Sequence, residues 1–142
     1  MRREAFLNLK CHEVRSVSGV TLKRLPGDYT IAQLPVLSPI PPWCDGDGFV
    51  SVSRGDNELS VICLKNRVPE RVKSEGDWAC FKLVDPSSFK EAGIVLSIMR
   101  PVSENGIAVF VVSTFSGDYI FMQNCDAAAS INCLAAAGHY IT

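Results

Sequence analysis

Long apolar runs are absent from this sequence. None approaches the roughly 18 residues that a membrane-spanning helix needs, so no spanning segment is expected. The opening "MRREAFLNLKCHEVRS" holds no apolar stretch of signal-peptide length, which points to a cytoplasmic protein. An excess of one charge is missing too. The 14 basic and 15 acidic residues leave a formal net charge of −1, so no basic field recruits nucleic acid or an anionic membrane. Catalytic signatures are lacking: there is no G-x-S-x-G, P-loop, H-E-x-x-H or G-x-G-x-x-G. The two histidines, His12 and His139, lie near opposite ends, and neither sits in a motif with a nucleophile and an acid. The six cysteines form no C-x-x-C pair, which removes the zinc and thioredoxin patterns. Asp45 and Asp47 in "CDGDG" lack the later ligands and closing glutamate of a calcium loop, so they read as a turn. The expectation is a protein that is not an enzyme and uses no cofactor or metal.

What is present is an ordinary globular composition, 47% hydrophobic and 20% charged over 142 residues. That length suits one compact unit or two small ones sharing a core. Cys63 in "SVICL" and Cys80 in "WACFKL" sit inside apolar runs and read as core. Cys44, beside Asp45 in a polar loop, reads as exposed.

The first half is strand-rich. "VTLKRL" (20–25) and "DYTIAQL" (28–34) flank the turn pair "PG", which predicts a hairpin. Pro35, Pro39, Pro41 and Pro42 make 35–48 an extended connection. "FVSVSR" and "ELSVICL" surround "GDN", a second hairpin signal. "NRVPERVKSEG" (66–76) reads as a polar connector. The second half mixes periods. "DWACFKLV" alternates as a strand, with Trp78, Cys80, Lys82 and Val84 opposing Ala79, Phe81 and Leu83. Ile94, Val95, Ile98, Met99 and Val102 recur at helical spacing, with Pro101 limiting or kinking the last turn and Gly106 just past the end. "IAVFVVST" and "DYIFMQ" form a hairpin around "FSG". "DAAASINCLAAAGH" reads as a helix with Asp126 as N-cap and Gly138 as C-cap. The order β-α-β-β-α, with "YIT" available as a closing strand, is the ferredoxin-like pattern.

Within this frame, "EAGIVLSIMRPVSENGIAVFVVSTFSGDYIFM" (91–122) resembles ACT domains of the subgroup found in cytosolic amino-acid sensors of the arginine-sensing type. "VPERVKSEGDWACFKL" is similar to the entry to that domain, and "FVSVSRGDNELSVIC" to the paired strands of the preceding ACT unit. The resemblance implies an α+β fold of two ferredoxin-like (βαββαβ, ACT-type) units, the N-terminal one irregular and helix-poor. The boundaries are 1–66 for the strand-rich N-terminal unit and 67–142 for the C-terminal ACT domain. It implies a regulatory, non-catalytic protein that binds an amino acid or similar small metabolite where two units pack side by side, with a homodimer or a regulated protein as partner. Carried over residue by residue, the ligand-binding set is Glu91, Gly93, Ile94, Thr114, Phe115 and Asp118, faced by Ser60 and Val61 of the other unit. In one place the sequence departs from the arginine-sensing pattern. Gly117 stands where those relatives carry a bulky apolar residue, which puts an arginine preference in doubt.

Those residue types suit an α-amino acid. The start of a helix offers free N–H groups and partial positive charge to a carboxylate. Gly93 lets a ligand approach the backbone. Asp118 and Glu91 can accept from an ammonium, and Phe115 can supply an apolar wall. Each residue also has a plainer reading. "SGD" is a common hairpin turn, Glu91 a solvated first-turn acid, and Phe115 core. A ligand-free dimerisation or protein-interaction module of the same fold is the alternative. A chain ending "HYIT" can lend its last strand to a neighbour or to its own first half. A sensor is expected to show a polar-lined cavity between Ser60 and Asp118, and Asp118 to be mostly exposed in the free protein.

Overall fold

The computed structural model describes residues 19–84 and 93–142. Strands β1 (Thr21–Arg24), β2 (Tyr29–Pro35), β3 (Ser51–Arg54), β4 (Glu58–Leu64) and β5 (Lys73–Leu83) precede helix α1 (Ile94–Glu104). Strands β6 (Val109–Thr114) and β7 (Gly117–Gln123), helix α2 (Ala127–Ala136) and strand β8 (Tyr140–Ile141) follow. Among the described residues no helix is long and apolar enough to cross a membrane.

All eight strands join one mixed sheet in the order β3-β4-β2-β5-β1-β8, with β7 on the second edge of β5 and β6 beyond β7. The eleven-residue β5 is the spine. Along one edge it receives β2 at its Lys73 end and β1 at its Leu83 end, both antiparallel. Its other edge pairs with β7 from Trp78 to Lys82.

The hairpin expected from "PG" does not form. β1 and β2 never pair with each other; they lie end to end along β5. Leu25 N–H still bonds to Cys80 O at 2.9 Å, and the next register pair is Tyr29 with Trp78. Three residues of this strand therefore oppose Ala79 alone, and the Pro26–Gly27 kink is a bulge rather than a reversal. β5 has its own irregularity at Gly76, whose φ of +84° suits only glycine.

The second half takes the order β5-α1-β6-β7-α2-β8, the βαββαβ sequence of a ferredoxin-like unit. One strand is inserted: β1 sits between β5 and the closing β8, and β8 pairs with it in parallel through Thr21–Tyr140 and Leu22–Ile141. The last strand is thus lent to the chain's own first half. The described part of that first half, up to β5, holds four strands and short 3-10 turns but no α-helix.

Side-chain alternation divides the core. Ala79, Phe81 and Leu83 of β5 face the helices with Leu22, Ile120, Met122, Ile94, Ile98, Val102 and Leu134. On the helix-free face an aromatic cluster forms from Tyr29, Phe49, Trp78, Phe110, Tyr119 and Phe121. Phe110 stacks on Phe121 with centroids 4.7 Å apart, and Phe49 lies 4.1 Å from Tyr119. Phe49 comes from the first half, so the halves share this cluster. A third cluster joins Ala32, Cys44, Val61 and Cys63. Cys44, expected in solvent, is fully buried, because the 3-10 turn Pro42–Cys44 folds its side chain onto β2 and β4.

Pro101 does not end α1, which runs on to Glu104. Gly106 and Gly138 lie just past the two helices with positive φ, as expected. Asp126 occupies the N-cap of α2, but its side chain makes no capping bond. The connector is shorter than read from the sequence, because β5 begins at Lys73.

Candidate functional site

The expected binding residues separate into two groups. Glu91 lies outside the described residues. Gly93 and Ile94 open α1. Gly93 has φ +87° and, lacking a side chain, caps none of the first-turn N–H groups of α1, which have no side-chain partner among the described residues. No acidic residue lies in that turn to offset the positive helix end. Ile94 itself is buried in the helix-side core.

Thr114, Phe115 and Asp118 form the β6–β7 turn. Ser113 pairs with Asp118 and Thr114 with Gly117. Thr114 Oγ1 donates to Gly117 O at 2.9 Å, and Ser113 Oγ donates to Asp118 Oδ1 at 2.5 Å. Phe115 stands at the tip, 97% exposed. A Cβ on Gly117 would lie 3.9 Å from Leu83 O, so this turn abuts the end of β5. α1 also begins after that end of β5, so the helix start and the turn occupy the same end of the sheet.

Two expectations need correction. Asp118 is 6% exposed rather than solvated, because its strand position turns it inward against Ser113. Ser60 and Val61 are not its facing wall within one chain. Val61 is fully buried in the third cluster, on the opposite face of β4 from Ser60. Ser60 sits in the cross-strand row Ser60–Gln33–Lys73, at the start of β5. From Lys73 to Leu83 the strand covers about 30 Å at about 3.3 Å per residue. Ser60 and Asp118 therefore share no cavity.

Ser60 lines a different space, an open groove of about 270 Å³ with Ile31, Gln33, Glu58, Lys73 and Glu75 along its walls. Gln33 Nε2 donates to Glu58 Oε2 at 2.6 Å across it. Sequence reading missed this row. The alternation in "TIAQL" and "ELSVI" places Gln33 and Ser60 on one face only once the β2–β4 register is known. A second open hollow lies beside Asp28, Gly76, Asp77, Gln123, Asn124 and Cys125. Its rim is braced by Asn124, which donates to Asp28 and accepts from Arg24, both at 3.0 Å. Lys65 bonds to Asp77 nearby, which holds its ammonium pKa up.

Three thiols, Cys44, Cys63 and Cys80, are buried and held protonated by their environment. Burial pushes Cys80 up to about 12 and Cys63 up to about 11, and it also raises Cys44. Burial raises the Tyr29 phenol too, partly offset by the N–H that Phe49 donates to it at 2.9 Å. Among the described residues no cluster of His, Cys, Asp or Glu is placed to hold a metal.

Comparison with known proteins agrees with this fold. A family model for the ACT domain matches residues 73–136, and a model for an N-terminal domain matches residues 27–71. Among curated proteins no sequence matches. The crystal structure of protein Atu0741 from Agrobacterium tumefaciens superposes with a TM-score of 0.85 at 46% identity, covering 89% of this chain and 94% of that one. The regulatory subunit of aspartate kinase from Thermus flavus shares the fold, with a TM-score of 0.59 at 10% identity, covering 87% and 99%. So does the allosteric aspartate kinase of Clostridium acetobutylicum, at 0.60 and 14%, where the match covers 89% of this chain and 36% of the enzyme. The protein belongs to the same family as Atu0741, and its residues 73–136 form an ACT domain.

Proposed function

We propose that this chain is a non-catalytic, cytoplasmic regulatory protein that binds an amino acid at the Leu83 end of its ACT domain. The observation that carries this reading is the placement of two features at one sheet end: the start of α1, whose N-cap Gly93 brings no capping side chain, and the β6–β7 turn. The N–H groups of a helix start suit a carboxylate, and the exposed Phe115 supplies an apolar surface. The reading treats residues 1–66 as an irregular ACT-like unit and 67–142 as the ACT unit proper. Ser60 lies about 30 Å from the turn, so the second wall of the site comes from another copy. β6 is the edge available for it. "VFVVST" carries no charge, proline or glycine, and among the described residues it pairs only with β7. β3, at the far edge, carries the charged Arg54, whose guanidinium bonds to the carbonyls of Val36 and Ser38.

The ligand-free interaction module is favoured by one observation. The Asp118 carboxylate is buried and already bonded to Ser113, as a turn brace would be. A thermal-shift screen against the twenty amino acids at millimolar concentration separates the two readings. A ligand at 100 times its Kd adds about 2.7 kcal/mol, which raises Tm by several degrees for a chain of this size. A hit that Phe115→Ala weakens supports the site. Silence across all twenty leaves the interaction module.

A further inference from the structure

We propose that His139 is a positioning residue for the start of α1, acting through the one carbonyl that Pro101 leaves without a helical partner. The inference rests on the proposed site only in its ligand consequence. In an α-helix each C=O accepts from the N–H four residues on. Pro101 has no N–H, so Ser97 O loses its intrahelical donor, although the helix continues through Glu104. His139 Nε2 lies 3.0 Å from Ser97 O. The ring is 4% exposed, where an unpartnered carbonyl costs stability.

The other ring nitrogen fixes which one carries the proton. Val20 N–H donates to Nδ1 at 3.3 Å, so Nδ1 is the acceptor and Nε2 carries the hydrogen that reaches Ser97. The residues flanking His139 are tied to the sheet: Gly19 N–H donates to Gly138 O and Tyr140 N–H to Val20 O, both at 2.9 Å. The imidazole thus bolts α1 to the β1–β8 pair. Ser97 is bonded in turn to the first helical residues. Its N–H donates to Gly93 O at 2.9 Å and its Oγ to Ile94 O at 2.7 Å. Without His139, the missing bond between residues 97 and 101 becomes a hinge, and the first turn of α1 is free to swing about it.

The test pairs two substitutions. Pro101→Ala returns an N–H to Ser97 O and makes His139 dispensable for that carbonyl. Amide hydrogen exchange at Ser97 and Ile98 is measured in the full chain, alongside the twenty-amino-acid thermal-shift screen. His139→Ala is expected to speed exchange at these amides about tenfold, the equivalent of one hydrogen bond. The double variant is expected to restore it, with any amino-acid shift seen in the wild type lost and regained in step. Should His139→Ala not fold, His139→Gln is measured, whose amide can donate to Ser97 O and accept from Val20 N–H; it is expected to keep wild-type exchange, and faster exchange in it overturns the proposal. Unchanged exchange in His139→Ala overturns the proposal. So does faster exchange that Pro101→Ala fails to repair, which marks His139 as packing alone. The expected exchange pattern without any amino-acid shift in the wild type supports the bolt and overturns the ligand site.

Discussion

The ACT domain as the sequence bounds it, residues 67–142, should not fold by itself. Its five-stranded sheet is completed by β1, which lies outside those bounds and between β5 and β8. Removing β1 takes Leu22, fully buried, and Val20, 5% exposed, out of the helix-side core. At 1.5–3 kcal/mol per buried aliphatic side chain, that is roughly 3–6 kcal/mol. The bonds from Val84 N–H to Thr21 O, Tyr140 N–H to Val20 O and Thr142 N–H to Leu22 O go with it. On the other face, loss of Tyr29 and Phe49 uncovers Phe121, now fully buried. A domain of this size is stable by about 5–15 kcal/mol, so the deficit is of the same order as the whole. The rival outcome is a four-stranded closure in which β8 slides against β5. The antiparallel sense would be right, but β8 offers two residues and brings no replacement for Leu22. Urea titration followed by circular dichroism decides between them. The fragment is expected to show no cooperative transition until a peptide of residues 19–36 is added. A cooperative fragment within about 2 kcal/mol of the full chain refutes the strand-insertion argument.

Three other outcomes follow from the same structure. Tyr29→Phe removes the acceptor of Phe49 N–H in a buried position and should cost about 1–3 kcal/mol in the urea midpoint; an unchanged midpoint would show that the loop over Gly48 is not held there. Gly76→Ala places a Cβ 2.2 Å from Trp78 Nε1 at a φ of +84°, so tryptophan fluorescence should shift as the ring leaves Phe110, 4.8 Å away, with a loss of at least about 1–2 kcal/mol. The thiol pKa values of Cys63 and Cys80 lie above their ordinary 9.0, at about 11 and about 12. The stability they carry is full below pH 9 and falls as the unfolded chain ionises, with a slope that approaches about 3 kcal/mol per pH unit for the pair near pH 10. Urea midpoints at pH 8, 9.5 and 10.5 check this, and a Cys80→Ala variant should show about half the slope.

What the sequence made legible is what two periodicities and a few turn residues encode. The alternation of Trp78 to Leu83 and the helical spacing of Ile94, Ile98 and Val102 each identify an element and its buried face. They do not say which strand lies beside which. "LPG" is compatible with a reversal or with a bulge in a continuing strand, and only the partner on β5 decides between them. The candidate site shows the same boundary. Gly93 and the "STFSGDYI" turn were visible because special backbone positions leave marks in the sequence. The family resemblance sets Ser60 beside them, whereas the β2–β4 register puts it at the other end of β5. A turn acid such as Asp118 is expected in solvent, yet its pairing with Ser113 turns it inward.

If Asp118 only braces the turn, Asp118→Ala leaves Ser113 without its acceptor and costs about 1–2 kcal/mol in urea, while Ser113→Ala costs about the same and the double variant little more. Additive losses in the double-mutant cycle would mean that the two side chains do not depend on each other. If the carboxylate also receives a ligand ammonium, only Asp118→Ala removes the amino-acid shift, because Ser113→Ala leaves the charge in place. Loss of that shift in both variants would assign Asp118 to the turn and take it out of the binding site.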